Sequence, residues 1–283
     1  MKSIRNFFLT PQPLSGFRTL TGVLLLFVQI LSPTNLFAQS KYKLVATINT
    51  ESDFFTTDNQ ANVYVVKADE LTKYDKIGKE LYKYSNKNFG NISFVDASNM
   101  LRIVVFYKDF LQVVFLDNTL SLNGEPVSLE KTGFQQAQLV CSSHNSGLWI
   151  YDLQNFELIR LDQNLLKTQQ TGNLSSTLNM ELKPNYLLEY DNKLYLNNPS
   201  IGVLLFDVYG TYYKTLPIKN APRFQPIGDW VYFISDKKVK AYHTITTEEK
   251  QFDMPLQEFL NFRLELGILM LRTSNSIFLY SEE

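Results

Sequence analysis

The chain has one cysteine, Cys141, so no intrachain disulfide is possible. It has only two histidines, His144 and His243, and two tryptophans, Trp149 and Trp230. Hydrolases and lyases commonly rely on histidine or on clustered ligands and bases, so this poverty argues against the usual catalytic designs. Neither histidine stands in a recognisable motif, and each is expected to be structural or solvated. No glycine-rich phosphate loop, zinc-ligand spacing or calcium loop is present. Charge of neither sign is in excess: 27 Lys and Arg stand against 28 Asp and Glu, a net charge of −1. The basic footprint of a nucleic-acid binder or an anionic-membrane binder is therefore missing. No cofactor, no metal and no catalytic residue is expected.

Long apolar runs are also scarce, with one exception near the start. Lys2, Arg5 and Arg18 precede the stretch Val23–Leu31, which is followed by Ser32-Pro33-Thr34-Asn35 and Leu36-Phe37-Ala38-Gln39. That is the charged, apolar and small-residue order of a secretory signal peptide. The apolar stretch is shorter than the about 20 residues needed to span a bilayer. Residues 1–38 are thus expected to be a cleaved signal peptide and residues 39–283 the folded domain. The expected location is the periplasm, with an extracellular or N-terminally anchored protein as the alternative, and no membrane span after cleavage. A disulfide-free exported domain must be held by its core, and 45% apolar residues allow that.

What the chain does have is a repeat. Six third-run endings recur: Tyr74-Asp75, Leu116-Asp117, Leu161-Asp162, Phe206-Asp207, Tyr242-His243 and Tyr280-Ser281. They are spaced 42, 45, 45, 36 and 38 residues apart. A period near forty, built of short strands and polar turns, marks β-propeller blades. The fold class is therefore all-β, a single propeller of six four-stranded blades, with seven blades as the alternative. The sixth copy lacks an outer strand, and Tyr42–Ile48 has no partner of its own; together they predict a ring closed by the N-terminal strand. Asp75, Asp117, Asp162 and Asp207 occupy equivalent turns and are expected to cap them rather than to form a metal ring.

The copies lack the paired Gly-His and Trp-Asp of WD40 repeats, and the tryptophans are too few for quinoprotein docking motifs. Ser143-His144-Asn145-Ser146-Gly147-Leu148-Trp149 is not a sialidase Asp-box, being one residue short with Asn for Asp. The same stretch, continued through Ile150-Tyr151 to Ile159-Arg160-Leu161-Asp162, resembles a two-component-regulator propeller repeat. Asn62–Val66 through Tyr74-Asp75-Lys76-Ile77-Gly78-Lys79 resembles NHL and PQQ-like repeats. The resemblance implies the propeller fold and no particular activity.

Aromatic residues make up 14% of the chain. Phe89, Tyr107, Phe110, Phe156, Arg223, Phe224 and Phe259 are expected in blade-to-blade and second-to-third-strand connections, where aromatic and arginine side chains suit partner anchors. Leu178 and Met180 join them from the long connection 171–183. It is expected to form a flap, a partner-binding loop or a loop folded onto its own surface. The function expected is a non-catalytic scaffold or accessory subunit of an envelope assembly. Outer-membrane insertion and protein-secretion machineries use periplasmic propellers to which this single propeller is similar. The alternatives are a sensory propeller that binds a sugar or peptide, and a lyase or hydrolase at the central channel.

Overall fold

The computed structural model describes Tyr42–Glu282, so the expected export segment, residues 1–38, lies outside the described residues. Six antiparallel four-stranded sheets follow one another, which settles the blade number at six. Blade 1 runs through Phe54–Thr57, Val63–Lys67, Glu70–Tyr74 and Glu80–Ser85, from inner to outer strand. Blade 6 takes Asn261–Glu265, Ile268–Arg272 and Ser276–Glu282 from the end of the chain and Tyr42–Asn49 from its beginning. The N-terminal strand therefore closes the ring as expected, pairing Tyr42 with Glu282 and Asn49 with Ser276.

The strand chemistry follows from which faces are covered. Ile103–Tyr107, the second strand of blade 2, is buried at every position, as is Glu157–Leu161, the third strand of blade 3. Ile103–Tyr107 reads as an unbroken apolar run because both of its faces meet a neighbouring blade. In blade 1, Val63 and Val65 pack toward blade 6, whereas Tyr64 and Val66 pack toward blade 2. Six clusters of this kind, one per blade junction, make up the core. Outer strands meet solvent, and Glu80–Ser85 and Lys167–Gln170 are polar and mostly exposed.

The recurring aspartates are turn caps. The Oδ1 of Asp75 accepts the N–H groups of Ile77 and Lys79 at 3.0 and 2.9 Å. Asp117, Asp162 and Asp207 each accept N–H groups two and four residues ahead in the same way. In blade 5, His243 stands where the aspartate would be, and its Nδ1 accepts from Ile245 at 3.2 Å and Thr246 at 3.0 Å. The chain then passes through a left-handed residue, Gly78 at φ 80° and Gly210 at φ 83°, a conformation that glycine adopts without strain.

These turns define two faces. The turn face carries the inner-to-second and third-to-outer turns. The linker face carries the blade-to-blade and second-to-third connections. On the linker face, the connection 171–183 forms a short helix, Leu174–Leu178, capped by Asn173, whose side chain accepts from the Ser176 N–H. Leu174 and Leu182 are buried in the junction of blades 3 and 4, and Leu178 and Met180 pack against that cluster. The connection is therefore folded onto its own surface.

Candidate functional site

A cavity of about 470 Å³ opens at the centre of the turn face. It lies within the range of about 300–1,000 Å³ that small-ligand sites occupy. Polar side chains of the inner strands and their turns form bridges there between neighbouring blades. Asp96 of blade 2 accepts the Ser142 N–H of blade 3 at 2.9 Å through Oδ2. Glu189 of blade 4 takes Ser143 Oγ at 2.6 Å, the His144 N–H at 2.9 Å and Trp149 Nε1 at 2.7 Å, all from blade 3. His144 Nδ1 also lies 3.0 Å from Glu189 Oε1. The Tyr190 hydroxyl accepts the Gly228 N–H at 3.0 Å. Gln225 of blade 5 donates to Leu264 O and Glu265 Oε1, both at 2.9 Å. Thr57 of blade 1 donates to Glu265 of blade 6 at 2.9 Å and accepts from Arg263 Nε at 3.0 Å.

The cavity is blind. Toward the linker face, Phe94 of blade 2 meets Tyr186 of blade 4 edge to face at 5.7 Å. Arg223 of blade 5 lies over the Phe54 ring of blade 1 at 4.5 Å and the Tyr186 ring at 5.6 Å. These side chains reach across the axis and form the floor.

Burial, opposed by Arg263, raises the Glu265 carboxyl above its ordinary value of 4.5, and nearby Asp58 adds to the rise. A carboxyl whose folded pKa is raised contributes stability below its unfolded value, and that contribution is lost as pH rises through the folded value. Glu265→Gln keeps the acceptor and removes the charge. It is expected to raise the thermal midpoint by a few degrees at pH 7. Thermal melts from pH 4 to 8 should show the difference vanish near pH 4. The Cys141 thiol is pushed up by complete burial, which keeps it an inert core residue. Among the described residues, no group of three or more His, Cys, Asp or Glu side chains is placed to hold a metal ion. No described helix is long and apolar enough to cross a membrane.

The expected partner residues scatter over the linker face. Phe110 is exposed at 55%. Phe89 is half-buried, edge to face with Tyr107 at 5.5 Å. Tyr107 ends a strand and is fully buried, and Phe224 begins one and is 3% exposed, which corrects their placement in connecting loops. Their aromatic rings fill the junctions between blades and are out of a partner's reach. Phe156 is half-buried, and its carbonyl holds the Leu174 N–H at 2.8 Å. Phe259 is half-buried beside a hollow of about 460 Å³ with Lys237, Glu258 and Leu260. Arg223 belongs to the floor of the cavity.

The turn face shows what that sequence reading missed. Ile77, Leu101, Leu122, Leu166, Tyr209, Ile245 and Leu266 all stand in its turns, each between 56% and 73% exposed. Among the described residues of the linker face, Phe110 at 55% and Leu260 at 56% are the most exposed large apolar side chains. The clue was present in the sequence: an apolar residue sits at the tip of a capped polar turn in Asp75-Lys76-Ile77, Asp207-Val208-Tyr209 and His243-Thr244-Ile245. Some of the cavity residues also had a signal, a polar residue closing the inner strand, as at Thr57, Asp96 and Glu265.

Fold and site together define a six-bladed β-propeller with a blind central cavity on one face. No family model matches the chain, and no curated protein matches it. Solved structures do match over most of its length. The WD40 domain of Pan2 from Neurospora crassa is 8% identical, covering 85% of this chain and 95% of that one at a TM-score of 0.62. A streptogramin B lyase is 12% identical, covering 86% and 98% at a TM-score of 0.60. The extracellular domain of the putative one-component system BT4673 from B. thetaiotaomicron is 11% identical, covering 81% of this chain and 32% of that one at 0.53. At such identities the likeness shows the fold alone.

Proposed function

We propose that this propeller is a non-catalytic interaction module of the cell envelope that docks a protein partner on its turn face. The carrying observation is the ring of seven exposed large apolar side chains on that face. Exposed apolar surface of this kind, rimmed by polar turns, suits a protein interface. The cavity carboxylates support a non-catalytic reading, because Asp58, Asp96 and Glu189 are committed to hydrogen bonds that hold turns and blades. The signal-peptide order of residues 1–38 supports an export route to the periplasm.

Affinity purification of the tagged native protein from detergent-solubilised envelopes tests this reading. Wild type is expected to retain a stoichiometric partner. The variant Ile77→Ser/Tyr209→Ser/Ile245→Ser is expected to lose it at least tenfold with little change in thermal midpoint. Each buried side chain of this size contributes about 1.5–3 kcal/mol, and about 1.4 kcal/mol is a factor of ten in affinity. Retention by the triple variant, with loss in Phe110→Ser, would reverse the assignment of the face.

A further inference from the structure

The floor of the cavity carries a charge that no described residue answers. Among the described residues, the Arg223 guanidinium makes no hydrogen bond and no ion pair; its contacts are the Phe54 and Tyr186 rings. An arginine presents five N–H donors and keeps its proton in proteins, so the donors stand ready for an anion. Tyr186 is 6% exposed, and its hydroxyl has no hydrogen-bond partner among the described residues. Arg263 lies beside them, with Nε given to Thr57 and its outer nitrogen 3.5 Å from Glu265.

Arg223, Arg263, Tyr186 and Asn261 surround a void of about 10 Å³ whose lining contains no carboxylate. The void shares Thr56, Phe94, Val95, Tyr186 and Arg263 with the large cavity, so it continues that cavity inward. Burial pushes the Arg223 guanidinium below its ordinary value, and Arg263 and Arg272 push the same way, although Tyr186 opposes them. An anion at this point would offset the repulsion from Arg263 and Arg272. The mouth is opposite in sign, lined by Asp58, Asp96, Glu189, Glu265 and Glu282.

This polarity selects the ligand. A void of about 10 Å³ holds about one water-sized atom, so a single oxygen of the anionic group enters it and the rest of the group stays in the large cavity. A guanidinium stacked on aromatic faces leaves its edge free for the planar, two-oxygen group it matches best. The acidic mouth disfavours a further negative charge on the body of the ligand and suits a neutral or cationic one.

We propose that the central cavity binds a carboxylate-bearing small ligand, with the carboxylate held at the floor by Arg223, Arg263 and the Tyr186 hydroxyl. The body of the ligand then lies against Phe94 and the polar wall of the 470 Å³ cavity. This site is separate from partner docking on the rim of the turn face, and either can fail alone.

Calorimetric titration of the purified mature protein with three probes tests it. The probes are a pool of tripeptides with free carboxyl termini, the same pool carboxamidated, and glucuronate. Binding of the free-acid pool or of glucuronate is expected and would identify the source as a chain terminus or a sugar acid. Amidation should weaken peptide binding at least tenfold. Arg223→Gln should abolish the preference for the acid, and Tyr186→Phe should weaken the bound acid several-fold. If Arg223→Gln does not fold, the acid–amide comparison on wild type and the Tyr186→Phe titration decide. No binding of either acid, equal binding of acid and amide, or an Arg223→Gln protein that binds like wild type would overturn the assignment.

Discussion

A chain lacking Tyr42–Asn49 is expected to lose its cooperative unfolding transition and to self-associate. That strand is the outer strand of blade 6, paired along Ser276–Glu282 from Tyr42 opposite Glu282 to Asn49 opposite Ser276. Its Ile48 is 4% exposed within the junction of blades 6 and 1, beside Phe55, Val63, Met270, Ile277 and Leu279. Removing it uncovers part of that cluster and leaves the outer edge of Ser276–Glu282 unpaired, a ready template for another chain. Blades 1 and 6 would then be held by what remains of that cluster and by side-chain bonds such as Thr57 to Glu265 and Arg272 to the Ser52 carbonyl, at 2.9 and 2.6 Å. A domain of this size is stable by about 5–15 kcal/mol, and most of that is expected to go. Urea unfolding followed by circular dichroism, with light scattering for the oligomeric state, reads both effects. A monomeric deletion protein with a transition within about 1 kcal/mol of wild type would show that the strand is not the closure.

Replacing Glu189 with alanine is expected to be the most damaging single substitution in the cavity, at about 3–5 kcal/mol. Its side chain is 9% exposed, and both oxygens are used: Ser143 and Trp149 bond one, and the backbone and ring of His144 bond the other. Alanine leaves the buried Trp149 indole N–H without an acceptor and loosens the junction of blades 3 and 4. Arg160, whose Nε donates to Ser143 Oγ at 2.8 Å and whose NH2 donates to the His144 carbonyl, loses the scaffold that positions its own partners. For a domain of this length, about 2–4 °C of midpoint per kcal/mol gives a fall of roughly 6–20 °C. Glu189→Gln, which keeps an acceptor for Trp149, should recover part of it. Thermal unfolding monitored by tryptophan fluorescence distinguishes the two variants. An unchanged midpoint in Glu189→Ala would mean that the network carries no net stability.

The ring itself was legible in the sequence because the physics that makes it is local and repeated. Aspartate caps such as Asp75, Asp162 and Asp207 recur at fixed places, and the unpaired Tyr42–Ile48 segment pointed to the gap in blade 6. Boundaries were less legible where both faces of a strand are buried. Ile103–Tyr107 has no alternation to mark its end, so Tyr107 read as a loop residue although it is fully buried. The helix Leu174–Leu178 was hidden because five residues are too few to show a helical period. The cavity was hidden for a different reason. Glu189 meets Trp149, 40 positions away, and Thr57 meets Glu265, 208 positions away, only once the ring has closed. Arg223 did stand out as an arginine among loop aromatics. Its neighbours Phe54 and Tyr186 come from blades 1 and 4, which no local pattern reveals.

The face used for docking is the central functional claim, and site-specific photocrosslinking in intact cells tests it most directly. A photoreactive residue is placed in turn at Ile77, Tyr209 and Ile245 on the turn face and at Phe110 and Leu260 on the linker face. All five side chains are at least 55% exposed, so each is free to report contact. The predicted result is one discrete crosslinked envelope protein from the first three positions and none from the last two. Crosslinks to one partner from Phe110 and Leu260, with the turn-face positions silent, would contradict the account.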